Sequence, residues 1–126
     1  MQYTITLPFP ISVNHYWSHR VIGRRVCTYL TDAGRAFKDL VTKAVVLCGG
    51  QLGLTQELAV KVILHAPDGR RRDIDNFGGK ALLDALTSAG VWKDDSQVKD
   101  LHLTWGHNVP NGSCEVTIKE FKDASC

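Results

Sequence analysis

Leu58-Ala-Val-Lys-Val-Ile-Leu64, then Asp68-Gly-Arg-Arg-Arg-Asp73-Ile-Asp75-Asn76, then Phe77-Gly-Gly-Lys80-Ala-Leu82-Leu-Asp84-Ala-Leu86-Thr-Ser-Ala89: these three runs decide the fold. In the first, Leu58, Val60, Val62 and Leu64 recur at every second residue, the period of a half-buried strand. The second is polar and reads as a loop. In the third, Leu82, Leu86 and Ala89 recur at helical spacing, predicting a helix from about Asn76 or Phe77 to Ala89, stopped by Gly90. A strand, a loop and a helix in this order point to an α/β mixed (α+β) domain.

The flanking sequence extends that pattern. Tyr3, Ile5 and Leu7 alternate as a first strand that Pro8 and Pro10 stop. A hairpin around Gly23 leads into a short extended run at Val26 to Leu30. Thr31 or Asp32 can cap a helix whose apolar face is Phe37, Leu40, Val41, Ala44, Val45 and Cys48, and Gly49-Gly50 ends it. Leu101, Leu103 and Trp105 alternate as a core strand, and Cys114, Val116 and Ile118 as another. Asn111-Gly112 predicts a hairpin turn between these two, since both residues tolerate positive φ. The expected architecture is a single domain over 1–126 with one mixed sheet and two helices packed on it.

Composition is that of an ordinary globular chain: 126 residues, 44% hydrophobic, 22% charged, net charge +2. Four cysteines, at 27, 48, 114 and 126, have no CxxC spacing, and no His completes a zinc site. Cys48 and Cys114 fall on apolar faces and are expected to be buried thiols of a reduced compartment. No secretory leader pattern or run of ~20 apolar residues appears, so the expected location is cytoplasmic, with no membrane partner. Positive charge is locally dense at Arg20, Arg24 and Arg25 and at Arg70, Arg71 and Arg72. Those blocks suit a phosphate backbone, or else two solvated loops.

Asp73 and Asp75 are the chemical focus. If the piece is extended, both carboxylates point to one side. Like charges held together are offset by a cation or a shared proton. Magnesium takes hard oxygen ligands and keeps several waters, which leaves room for a phosphate and an attacking water. The alternative is that one Asp caps the helix and the other is solvated, the commoner fate of an isolated pair. Asp94-Asp95 follows the second helix and is expected to return to the same edge of the sheet, supplying a third ligand; otherwise it is a polar turn. Lys80 could steady charge on a phosphate or leaving oxygen, or could pair with Asp84 at i, i+4.

At these residues the chain resembles the RusA family of Holliday-junction resolvases. Arg71-Arg72-Asp73-Ile-Asp75-Asn76, Lys80-Ala-Leu-Leu-Asp84-Ala-Leu and Gly90-Val-Trp92-Lys-Asp94-Asp95-Ser-Gln97-Val98 look like its central signature. Leu7-Pro8-Phe9-Pro10-Ile-Ser12-Val-Asn14-His-Tyr16 looks like its opening motif. The resemblance implies a small homodimeric, magnesium-dependent endonuclease, with Mn²⁺ as a possible substitute. Such an enzyme nicks four-way DNA junctions symmetrically, and its genes are often carried by phages. Its essential carboxylates match Asp73, Asp75 and Asp95, with Asp94 as a neighbouring acidic position and Lys80 as the functional lysine. Asn14, Tyr16, Arg20, Arg24, Arg25 and Arg70 to Arg72 are the candidate DNA contacts, with Trp17 beside Tyr16 as a stacking or wedge group or as sheet-edge packing. Other readings are a nuclease of forks or flaps, or a junction-binding protein with weak catalysis. One departure stands out: three residues, Phe77, Gly78 and Gly79, separate Asn76 from Lys80, where the family usually has two. The extra residue would rotate a continuous helix by ~100° unless the glycines absorb it, in which case the helix begins later, near Lys80.

Overall fold

The apolar alternations become strands and the 3.6-residue patterns become helices in the computed structural model, which describes residues 1–122. In chain order these are β1 (Gln2–Leu7), α1 (Val13–Tyr16), β2 (Trp17–Ile22), β3 (Arg25–Leu30), α2 (Asp32–Leu47) and β4 (Leu58–His65). There follow α3 (Asp75–Gly78), α4 (Lys80–Ser88), a 3-10 turn (Asp95–Gln97), β5 (Val98–Trp105) and β6 (Ser113–Glu120).

The main sheet has the order β1-β6-β4-β5. β6 runs antiparallel to both β1 and β4, while β5 runs parallel to β4. A parallel pair needs a crossover, and α3 and α4 lie within it. One face of the sheet carries Ile5, Leu7, Leu58, Val60, Val62, Leu64, Val116 and Ile118 against Phe37, Val41 and Val45 of α2 and Leu82, Ala85 and Leu86 of α4. Full burial of each large aliphatic among them contributes roughly 1.5–3 kcal/mol. Thr31 caps α2, its hydroxyl accepting from the Gly34 amide at 2.9 Å. Gly49, at φ +73°, ends α2, and the Gly50 amide turns back to the Val45 carbonyl at 2.8 Å. Gly34 is required by close approach: a side chain there would collide with the Tyr16 carbonyl.

Four expectations change. Asn111 and Gly112 do take positive φ (66° and 71°), but β5 and β6 are not partners, because β4 lies between them. Residues 106–112 instead pass over the end of β4, with the Gly106 amide bonded to the Leu64 carbonyl and the Val109 amide to the Ala66 carbonyl. β5 is consequently an edge strand, and Leu101 and Trp105 remain 36% and 37% exposed rather than entering the core. β2 and β3 form their own two-stranded sheet, turned at Gly23 (φ +63°), and do not join the main one. Cys48 is exposed, since it is the C-cap of α2, past the last turn of the buried face, whereas Cys114 is buried. Burial, with Glu115 beside it, pushes the Cys114 thiol up to about 12. Cys126 lies outside the described residues. Among the described residues no helix is long and apolar enough to cross a membrane.

Candidate active site

The loop leaving β4 is shaped by Asp68. Its carboxylate accepts from the Arg70 amide at 3.0 Å and from the Arg72 guanidinium at 2.9 Å. Those donors, the Arg70 amide first, hold the Asp68 carboxyl below its ordinary range. Arg72 also donates to the Asp68 and Arg70 carbonyls, and its guanidinium lies 5.6 Å from the centroid of the Phe9 ring. Arg72, expected to be a phosphate ligand, is thus a brace inside the loop, with only 13% of its side chain exposed. Arg70 and Arg71 face solvent.

The loop does not deliver Asp73 and Asp75 as an extended pair. Ile74 between them is helical (φ −61°, ψ −36°), so the alternation of a strand does not apply. The Asp73 carbonyl accepts from the Asn76 amide at 3.2 Å, and Asp75 opens α3. Both carboxylates are exposed within a single turn.

The extra residue is absorbed at the glycines. α3 stops at Gly78, Gly79 breaks the helical path at φ −101°, ψ −122°, and α4 starts afresh at Lys80. One continuous helix from Asn76 or Phe77 is thus replaced by two, and the later start near Lys80 that the glycines suggested is the one observed. Both glycines are tight: a Cβ on Gly78 would lie 2.8 Å from Leu103 Cδ2, and one on Gly79 would lie 3.0 Å from the Asp75 carbonyl oxygen. Lys80 stands exposed in the first turn of α4, its ammonium 5.4 Å from the Trp17 ring centroid. It does not pair with Asp84. That carboxylate instead accepts the Tyr16 hydroxyl at 2.6 Å and faces Lys38 Nζ at 3.7 Å.

Tyr16 is therefore corrected as a DNA contact. It is fully buried, edge-on to Trp17 at 4.5 Å, and burial together with Asp84 holds its phenol far above the usual range. Trp17 is half-buried, braced by Tyr16 and placed under Lys80. Val13, Asn14, Trp17, Ser18, His19, Thr28 and Lys80 line a cleft of about 680 Å³. His19, whose Nδ1 lies 3.1 Å from Thr28 Oγ1, was not among the sequence candidates. Its period-two spacing from Trp17 on β2 was the available signal. The β2–β3 turn is both basic and apolar: Arg24 and Arg25 are exposed beside Val21, Ile22 and Val26, and Arg20 lies 5.2 Å from the Tyr29 ring centroid.

Asp95 lies at the opposite end of the sheet. β4 and β5 run parallel from Leu58↔Val98 to Leu64↔Trp105. Asp73 and Asp75 follow the finish of β4, while Asp95 precedes the start of β5. Gln97 ties that turn down by donating to the Leu54 and Gln56 carbonyls, both at 2.9 Å, just before β4 begins. The length of the strand, ~23 Å at 3.3 Å per residue, thus separates the two acidic groups. A helix between parallel strands must return the chain to the starting end, so the expected convergence of Asp73, Asp75 and Asp95 within one chain does not occur. Among the described residues no three His, Cys, Asp or Glu side chains are grouped to hold an ion.

Asp94 has a structural task of its own. It caps the 3-10 turn, its carboxylate accepting from the Ser96 hydroxyl and amide, while the Gln97 side chain accepts from the Asp94 amide. The Ser96 donors hold its carboxyl low. By contrast Asp73, Asp75 and Asp95 are exposed, with no ion-pair partner among the described residues.

Arg71 offers a clean test of the basic loop, because Arg72 and not Arg71 supports its conformation. Arg71→Ala is expected to weaken DNA binding and to reduce the slope of log affinity against log salt by about one. Titrations at several salt concentrations measure it; an unchanged slope would remove Arg71 from the phosphate contacts.

The model of the family described as Endodeoxyribonuclease RusA matches residues 8–119. The chain is 40% identical over 119 residues to a protein named "Crossover junction endodeoxyribonuclease RusA" from Shigella sonnei, covering 94% of this chain and 95% of that one. It is 39% identical, over the same shares, to proteins of that name from Escherichia coli K12 and Enterobacteria phage 82.

Proposed function

Because this chain belongs to the RusA endodeoxyribonuclease family, we propose that it is a crossover junction endodeoxyribonuclease that resolves four-way DNA junctions by hydrolysing phosphodiesters. Its bacterial and phage relatives favour action in the cytoplasm of a bacterium or an infected host. The observation that carries the reading lies within the shared signature. Asp73, Asp75, Lys80 and Asp95 are exposed and uncommitted to carboxylate–cation pairs among the described residues, while Asp68, Asp84 and Asp94 are all engaged in holding the fold.

The uncommitted carboxylates fit magnesium, which takes hard oxygen donors and tolerates few protein ligands. Magnesium there would supply a more acidic water and neutralise charge on the scissile phosphate. Asp73 and Asp75 would hold it from the turn that opens α3. Lys80, propped on Trp17, would place its ammonium against the phosphate or the departing oxygen. Arg71, with Arg24 and Arg25 on the hairpin, would hold the backbones of the arms.

Asp95 joins this group only if it comes from a second copy, since within one chain the sheet keeps it away. A homodimer would thus have two sites, each built from Asp73, Asp75 and Lys80 of one protomer and Asp95 of its partner. A two-fold particle also matches the near two-fold symmetry of a four-way junction.

Labelled synthetic junctions test the reading. With Mg²⁺ the protein should introduce paired nicks at symmetric positions near the crossover, and with EDTA none. Cutting that survives EDTA would overturn the metal assignment. Equal or faster cutting of forks and flaps would overturn the junction assignment.

A further inference from the structure

The hairpin of β2 and β3 is tied down at its base. There the Thr31 amide donates to the Tyr16 carbonyl at 3.1 Å, and Tyr16 is buried. At its tip Val21, Ile22 and Val26 are 71%, 56% and 68% exposed, and a side chain on Gly23 would meet nothing within 4 Å. The register sets Val21 opposite Val26, on the same face as Trp17, His19 and Thr28. That face is continuous with the cleft that Lys80 shares with Trp17, His19 and Thr28. The two valines thus lie ~13 Å, four strand residues, beyond the ring that props Lys80. Ile22 is on the other face, opposite Arg25 and two residues from Arg20, and Arg24 sits in the turn. Three neighbouring aliphatic side chains are therefore ringed by three exposed arginines.

An aliphatic tip within a ring of cations is poorly matched to water and to a continuous duplex alike. Phosphates satisfy the arginines, but in an unbroken stack the faces of the base pairs are covered by their neighbours. At the crossover of a four-way junction the stack is interrupted. The pairs beside it present an apolar face within reach of phosphates from two arms. Apolar side chains set against an opened base step hold bent or unstacked DNA in this way. We propose that the hairpin tip is a wedge: Val21, Ile22 and Val26 lie against the base pairs at the branch point while Arg20, Arg24 and Arg25 hold the phosphates around it. The cleft face then leads the strand towards Lys80. This rests on the nuclease reading above and adds to it the device that tells a branch from an unbroken duplex. Phosphate contacts form on both, so they do not supply that preference. The apolar contact forms only at the branch. An anionic membrane would also take a basic, apolar tip, but it offers nothing to the polar cleft on the same face.

Four-way junctions carrying 2-aminopurine in place of adenine test the wedge, in EDTA so that nothing is cut. The probe brightens when it unstacks. The parent protein should raise its signal several-fold beside the crossover and leave it unchanged in the middle of an arm. The triple variant Val21→Thr, Ile22→Thr, Val26→Thr keeps β-branched side chains, so its circular dichroism should match the parent's. It should give no rise, and its junction affinity should fall at least ~10-fold, toward an unchanged affinity for duplex. A triple variant that keeps the rise and the junction preference would overturn the proposal. So would a parent that binds junctions tightly without any rise. If the triple variant loses binding to phosphatidylglycerol vesicles, or loses mass in sedimentation, while its junction affinity holds, the tip belongs to a membrane or to a second copy and the wedge falls. The two readings fail separately. Symmetric nicking by a triple variant with undiminished junction preference keeps the nuclease and removes the wedge. A parent that brightens the crossover probe yet nicks nothing with Mg²⁺ keeps the wedge and removes the nuclease.

Discussion

Asp75→Asn should abolish junction cleavage, by at least about 10³-fold, while junction affinity changes by no more than ~3-fold. The size of the loss follows from the chemistry. A neutral amide nearly isosteric with the carboxylate keeps the first turn of α3 but removes a full charge from the donor set. A 10³-fold loss is ~4 kcal/mol of transition-state stabilisation. Affinity should be spared, because the role proposed for this carboxylate is to hold the ion and not the arms of the junction. Asp75 makes no ion pair among the described residues, so the fold should not notice the change. Single-turnover nicking and gel-shift titration on the same junction measure the two quantities. Loss of binding in proportion to loss of nicking would show that Asp75 contributes to holding DNA rather than to the reaction.

Lys80→Ala should lower the single-turnover rate by about 10² and leave affinity within a few-fold. The ammonium is neither buried nor paired with Asp84, and the start of α4 and the ring of Trp17 aim it. A charge so placed and free of a carboxylate partner is available to a developing oxyanion. Lys80→Arg should recover only part of the rate, because the guanidinium is larger and its donors are fixed in a plane. If affinity falls as much as rate, Lys80 is a phosphate contact in the cleft it shares with Asn14 and His19.

Much of the fold was legible because burial writes itself as period. Leu58 to Leu64 and Phe37 to Val45 each had one wet face, and the pattern gave their type directly. Pairing was less legible. Asn111-Gly112 carried the backbone geometry of a hairpin turn, yet no local signal reveals that β4 lies between the flanking strands. Leu101 and Trp105 read as core for the same reason: alternation shows which face a strand buries, not whether a neighbour covers its edge. At the site, the identities of Asp73, Asp75, Asp95 and Lys80 stood out as a spaced signature. Their distances did not, since these depend on parallel strands placing two loops at opposite ends. Asp94 and Arg72 were hidden within charged runs. What distinguishes them from Asp95 and Arg71 is the partner each one already has, Ser96 and Asp68.

A working site is expected to take Asp73 and Asp75 from one protomer and Asp95 from the other. Mixing two inactive proteins, Asp75→Asn and Asp95→Asn, decides whether it does. Random exchange of subunits makes half of the dimers mixed, and each mixed dimer has one fully wild-type site, so about a quarter of all sites should be restored. Nicking of a labelled junction should therefore return to roughly that fraction of the wild-type rate. A mixture whose subunits have exchanged and which stays as inactive as either parent would show that the carboxylates are not shared between protomers.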